Sequence, residues 1–238
     1  MYVNKGLSND KLKIVALVTM VIDHIGAYLL PNVIFLRIIG RISFPIFAFM
    51  VAEGCRYTKN KKRYLLNMAV LSAVTYLLFY PVSSSKFLRI PFTFTFSVVL
   101  IYALQNFSLK WHNGSTTEKI ISLAILLSAF SAVAVICYNF KVDYGLYGCL
   151  VPVYISFVWI GNGMPGSKRK NSFKEALFML AIGLLCVYMK YGGVQIYSFF
   201  AIPLLCTYNG KRENILPKYF FYIFYPLHLA VIFAVKYL

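Results

Sequence analysis

Charged side chains are scarce in this sequence. They make up 13% of 238 residues, with only 7 Asp and Glu, against roughly 25% charge in ordinary soluble domains. Motifs of soluble catalysis are missing too: there is no Walker A loop, no HExxH helix and no GxSxG nucleophile elbow. The five cysteines (Cys55, Cys137, Cys149, Cys186, Cys206) are scattered and have no CxxC or CxH spacing. They read as small hydrophobes, which excludes a secreted disulfide scaffold. With three histidines and so few other ligands, no catalytic metal is expected. What fills the chain instead is apolar surface: 60% of residues are hydrophobic. A 27.2 kDa chain cannot bury that much surface in its own interior, so the surplus faces lipid.

Apolar segments fall at about residues 13–30, 36–54, 65–81, 92–108, 119–137, 144–160, 174–190, 194–208 and 218–235. Most are near the ~20 residues a bilayer helix needs. The expectation is an all-α, polytopic bundle of about nine spans forming a single domain over residues 1–238. The eighth segment is short and carries Pro203, so a count of eight is the alternative. The first run is too long for a signal h-region, contains Asp23 and His24, and lacks a small-x-small cleavage site, so it is expected to stay in the mature protein.

The net charge of +17 looks at first like that of a nucleic-acid binder, but the positions of the cations argue otherwise. With the N-terminus inside, the cytoplasmic segments hold Lys5, Lys11 and Lys13; Arg56, Lys59, Lys61, Lys62 and Arg63; Lys110 and Lys119; Lys168, Arg169, Lys170 and Lys174; and Lys211, Arg212 and Lys218. The outer side holds only Lys86, Arg89, Lys141, Lys190 and Lys236. This asymmetry is how a multi-pass protein of the cell membrane orients itself. It implies a cytoplasmic N-terminus, a lipid bilayer as partner, and no nucleic acid.

Ionisable groups within a span cost at least a few kcal/mol and are functional candidates by default. Here they are Asp23, His24, Arg37, Arg41, Glu53 and His228. At ~1.5 Å per residue, His24 lies ~16 Å deep, and His228 lies about as far past Pro217. Arg41, entering from the other side, would sit ~7 Å below the outer boundary, so one polar pocket can hold all three. Arg37 and Arg41 are four apart and share a helix face, whereas Asp23 and His24 point ~100° apart. Asp23 is therefore expected to pair with Arg41 or Arg37, leaving His24 toward a cavity with His228. A neutral imidazole costs little to bury and can take a proton from an attacking nucleophile, so general base is its natural role.

Plainer readings stand beside this one. Asp23 with an arginine serves equally as a structural ion pair, and each histidine as a hydrogen bond between helices. Glu53 reads as a boundary residue paired with Arg56 or a loop lysine, Asp143 as a solvated turn residue, and His112 as surface. The loop cations Arg56, Lys59, Lys61, Lys62 and Arg63 satisfy the orientation rule and attract anionic lipid, or else hold the phosphates of a nucleotide-bearing donor.

The blocks LKIVALVTMVIDHIGA, RIIGRISFPIFAFMVAEG, YTKNKKRYLL, QIYSFFAIPLLCTYNGKR and YFFYIFYPLHL together resemble the TraX family. Its founding type acetylates the amino terminus of the conjugative F pilin. That family in turn is similar to a broader set of membrane acyltransferases, in which a basic residue, there arginine, precedes a first-span histidine by eleven positions; Lys13 and His24 have that spacing. The resemblance implies an acetyltransferase that uses acetyl-CoA from the cytoplasm to acetylate an amine or hydroxyl of a peptide, glycan or small molecule. His24 would be the base, His228 its hydrogen-bonding assistant, and Asp23 and Arg41 members of the centre. Arg37, Lys13 and the five loop cations would contact the donor. The alternative is a transporter or channel with a buried His/Asp/Arg relay.

Overall fold

A computed structural model describes residues 6–80, 87–161, 172–215, 217 and 219–238. The cations Lys5, Lys86, Lys168, Arg169, Lys170 and Lys218 of the orientation argument lie outside the described residues. The chain is almost entirely helical, and each apolar segment of the sequence falls on a helix. Its long apolar helices make it a multi-pass membrane protein. It divides into two compact units: residues Met1–Met50 with Leu180–Leu238, and residues Val51–Met179.

The first unit begins with α1 (Asn9–Tyr28), whose N-cap Ser8 accepts the Lys11 amide. It continues through α2 (Ile34–Gly40) and the first part of α3 (Ser43–Tyr57). The expected single span over 36–54 lies within one apolar run, Ile34–Tyr57, that carries a turn at Arg41–Ile42 between α2 and α3. Pro45 has no N–H to bond the Arg41 carbonyl and its ring collides with that group, which accounts for the kink. Ser43 Oγ caps the break by donating to Gly40 O at 2.9 Å. From the other end of the chain come the last part of α8 (Ser172–Tyr191), a 3-10 helix (Gly193–Phe200), α9 (Ala201–Cys206) and α10 (Phe220–Tyr237). The turn into the 3-10 helix needs positive φ at Gly192 and Gly193 (61° and 53°), which a side chain would resist. At ~2.0 Å rise per 3-10 residue, this short eighth segment reaches about 25 Å, close to a hydrocarbon core.

Residues 6–10 are laced to residues 207–215. Leu7 N–H donates to Thr207 O (2.8 Å), Asn9 N–H to Lys211 O (2.8 Å), and Asp10 Oδ2 accepts the amides of Glu213 (3.1 Å) and Ile215 (3.3 Å). Asp10 is buried, so these bonds fix the entry of α1 against the segment leading into α10.

In the second unit α5 (Ile90–Asn113) packs against α4 (Lys61–Phe79), α6 (Thr116–Asn139) and α7 (Gly145–Gly161). Ser115 and Glu118 form a capping box at the start of α6. Most of the face of α6 is exposed, including Ile121, Leu127 and Val135, as expected of a helix solvated by lipid. Two-residue strands β1 (Phe87–Leu88) and β2 (Lys141–Val142) pair in parallel. Asp143 lies in a turn, as the sequence suggested, and is half-buried; its Oδ2 accepts the Ile90 N–H at 3.0 Å and its carbonyl accepts Thr93 Oγ1 at 2.7 Å. It pins the start of α5, whose first-turn amides have no intrahelical acceptor.

Candidate functional site

His24 on α1 and His228 on α10 meet in the first unit, with Nδ1 of His24 2.7 Å from Nε2 of His228. The rings are inclined by 14° and their centroids are 5.0 Å apart. That separation is close to the N···N distance extended by a ring radius at each end, so the imidazoles lie edge to edge in nearly one plane. The hydrogen bond is therefore close to linear.

Its direction follows from the next link. His228 Nδ1 lies 3.0 Å from the Phe224 carbonyl, which can only accept, so Nδ1 carries the hydrogen. In the neutral ring Nε2 is then the acceptor, and His24 must donate from its own Nδ1. The unprotonated nitrogen of the pair is thereby His24 Nε2. Aromatic rings hold the arrangement: Phe224 stacks on His228 at 5.4 Å, Tyr225 meets both imidazoles edge-on, and Tyr28, one turn beyond His24, lies 5.9 Å from it.

Beside the pair, Asp23 takes both arginines rather than one. Arg37 Nη1 donates to Oδ2 at 2.8 Å and to the Asp23 carbonyl at 2.9 Å, and Arg41 Nη2 donates to Oδ1. The Asp23 and Arg41 side chains are 13% and 6% exposed, so this is a buried cluster of one carboxylate and two guanidiniums. Its net charge of +1, one residue along the helix from His24, suits developing negative charge. Arg37 was expected among the donor contacts. In the structure its Nη1 serves Asp23, bonding both a carboxylate oxygen and the backbone carbonyl, and its side chain is 28% exposed.

Two residues that the sequence reading passed over make the cluster possible. A Cβ at Gly40 would collide with Asp23 Cβ and Oδ1, and one at Gly26 would come within 2.7 Å of Leu36 Cβ. Close helix approach is the usual reason for glycine in an apolar helix, and that signal was readable. Gly40→Ala is expected to cost about 1–3 kcal/mol of stability by overpacking. A lowered melting temperature in detergent is the readout; an unchanged one would mean that Asp23 can move aside.

The remaining donor candidates fall in both units. Lys13 sits over the Phe221 ring at 5.1 Å in the first unit. In the second unit Arg56 and Lys61 line a cavity of about 250 Å³ together with Gln105, His112, Ser156 and Trp159. Lys59, Lys62 and Arg63 are exposed and outside that lining. Glu53 is buried, but no ion pair joins it to Arg56 among the described residues; the guanidinium lies over Tyr57 and Trp159 instead, at 5.2 and 5.0 Å. Among the described residues no cluster of His, Cys, Asp or Glu could hold a metal.

The family model described as TraX protein matches residues 8–236. The chain belongs to the TraX family. All members of the two clusters, Asp23, His24, Arg37, Arg41 and His228, fall within the TraX match. A full-length relative, the probable fimbrial assembly protein FimC (serogroup H1) of Dichelobacter nodosus, is 25% identical over 98% of this chain and 97% of its own. The uncharacterized protein RP591 of Rickettsia prowazekii is 42% identical over 76 residues; that stretch is 32% of this chain and 30% of RP591. No solved structure matches.

Proposed function

We propose that this membrane protein of the TraX family is an acetyltransferase that moves an acetyl group from acetyl-CoA, reached from the cytoplasm, to an amine or hydroxyl. The observation that carries the reading is the in-line His24–His228 hydrogen bond, because it assigns a basic nitrogen to His24 without a charge having to be buried. The acceptor N–H or O–H gives its proton to His24 Nε2 as its lone pair attacks the thioester carbonyl carbon. The tetrahedral oxyanion develops near the net positive cluster, with Arg41 as its proposed stabiliser. The C–S bond then breaks, and the CoA sulfur leaves with the proton held by His24, which returns to its starting state. His228 positions the base by accepting from Nδ1.

The acceptor is proposed to be a peptide, with glycans and small molecules as the other classes to be tested. Peptides come first because a relative matching along nearly its whole length carries the name of a fimbrial assembly protein. The test is purified protein in proteoliposomes given acetyl-CoA and candidate acceptors. CoA thiol release and a gain of one acetyl group on the acceptor are the expected results. Solute flux without thiol release would replace this reading by that of a transporter.

A further inference from the structure

The cavity in the second unit is built for a ligand that the histidine centre does not account for. Its lining holds the basic side chains of Arg56 and Lys61 together with His112, and no carboxylate among the described residues. Arg56 has no carboxylate partner among the described residues. Its guanidinium lies over Trp159 and Tyr57, 5.0 and 5.2 Å from the ring centroids, contacts that use no N–H hydrogen bond and leave these groups to donate. Lys61 is equally prearranged: Nζ donates to Gln105 Oε1 at 2.6 Å and lies over Tyr102 at 5.4 Å. The Gln105 amide is held by its own donation to the Cys55 carbonyl at 3.3 Å, which aims Oε1 at the lysine.

Ser156 supplies the independent sign of a missing partner. It is 2% exposed, lines the same cavity, and its hydroxyl has no hydrogen-bond partner in the structure. A buried hydroxyl left unpaired costs about 1–3 kcal/mol, so the site is complete only when an acceptor fills it. The ligand must carry more than one negative charge and several acceptor oxygens. A carboxylate supplies one charge; a phosphoryl group supplies both requirements. The volume of about 250 Å³ exceeds a phosphoryl group alone and has room for part of what it is attached to.

We propose that this cavity is a binding site for a phosphate monoester or diphosphate, presented by a soluble nucleotide or by a phospholipid headgroup. The inference stands on the cavity and not on acetyl transfer, so binding is measured without turnover. In the soluble arm, full-length protein in detergent is titrated with inorganic pyrophosphate and with ADP by calorimetry. In the lipid arm, native mass spectrometry counts phosphatidylglycerol retained from nanodiscs against phosphatidylcholine.

Binding is expected in one arm, weakened about tenfold or more by Arg56→Gln and by Lys61→Gln, and severalfold by Ser156→Ala. Lys59→Gln and Lys62→Gln remove the same charge from neighbouring positions that do not line the cavity and are expected to change affinity less than twofold. The proposal is overturned if neither arm shows binding to wild-type protein. It is equally overturned if the two control lysines weaken binding as much as the lining cations, since generic attraction of a basic surface would then explain it. Ser156→Ala keeps the test independent of charge: no effect of this variant on measured binding also rejects the site.

Discussion

His24→Ala is expected to abolish acetyl transfer in protein that remains folded and monodisperse in detergent. Loss of a positioned general base removes about 10²–10⁴ of the rate, and no other described group in the cluster has the same unprotonated nitrogen. The companion substitutions separate catalysis from scaffolding. His228→Ala leaves His24 Nδ1–H without its acceptor, so the ring can turn; His228→Gln offers a carbonyl oxygen in nearly the same place. Activity should therefore fall in the order wild type, His228→Gln, His228→Ala, His24→Ala, with the His228 effects in kcat more than in KM. Normal turnover in His24→Ala would remove the imidazole from the mechanism altogether.

Asp23→Ala should produce the largest loss of stability of any single substitution in the first unit. It strands two guanidiniums, one of them 6% exposed at the side chain, beside each other without a counter-ion. Breaking a buried pair from one side costs about 3–5 kcal/mol. Asp23→Asn keeps a hydrogen-bond acceptor and should cost less. Replacing Asp23, Arg37 and Arg41 together by leucine should recover much of the melting temperature, because no charge is then left uncompensated, while transfer is lost. If Asp23→Ala melted like the wild type, the arginines would have to find other anions and the cluster would not be the structural keystone described above.

The meeting of His24 with His228 was legible because lipid makes depth a readable coordinate: residues equally far from one boundary reach the same level. The pairing of Asp23 with the arginines was legible for a similar reason, since a buried carboxylate must find a cation. Which arginine was not, and the answer is both. The four-residue spacing of Arg37 and Arg41 put them on one face, but only the close approach allowed by Gly26 and Gly40 lets the two reach one carboxylate. The break at Arg41 was hidden because Pro45 lies in an otherwise uninterrupted apolar run.

The cavity in the second unit was half visible. Its cations stood out as a charge cluster, but Gln105, Ser156 and Trp159 lie 44 to 103 residues further along from Lys61 or Arg56 and carry no pattern that says which helices will be neighbours. The long-range bonds of Asp143 were hidden for the same reason. Turn propensity is local, whereas its bond to Ile90 spans 53 residues of sequence.

The two imidazoles are separated by 204 residues, one on the first helix of the chain and one on the last. A nascent polypeptide therefore carries the first half of its centre into the bilayer long before the second is synthesised. A product that stops short of α10 would lack half of the histidine pair however well it inserts, so membrane insertion of α1 and assembly of the pair are separate events.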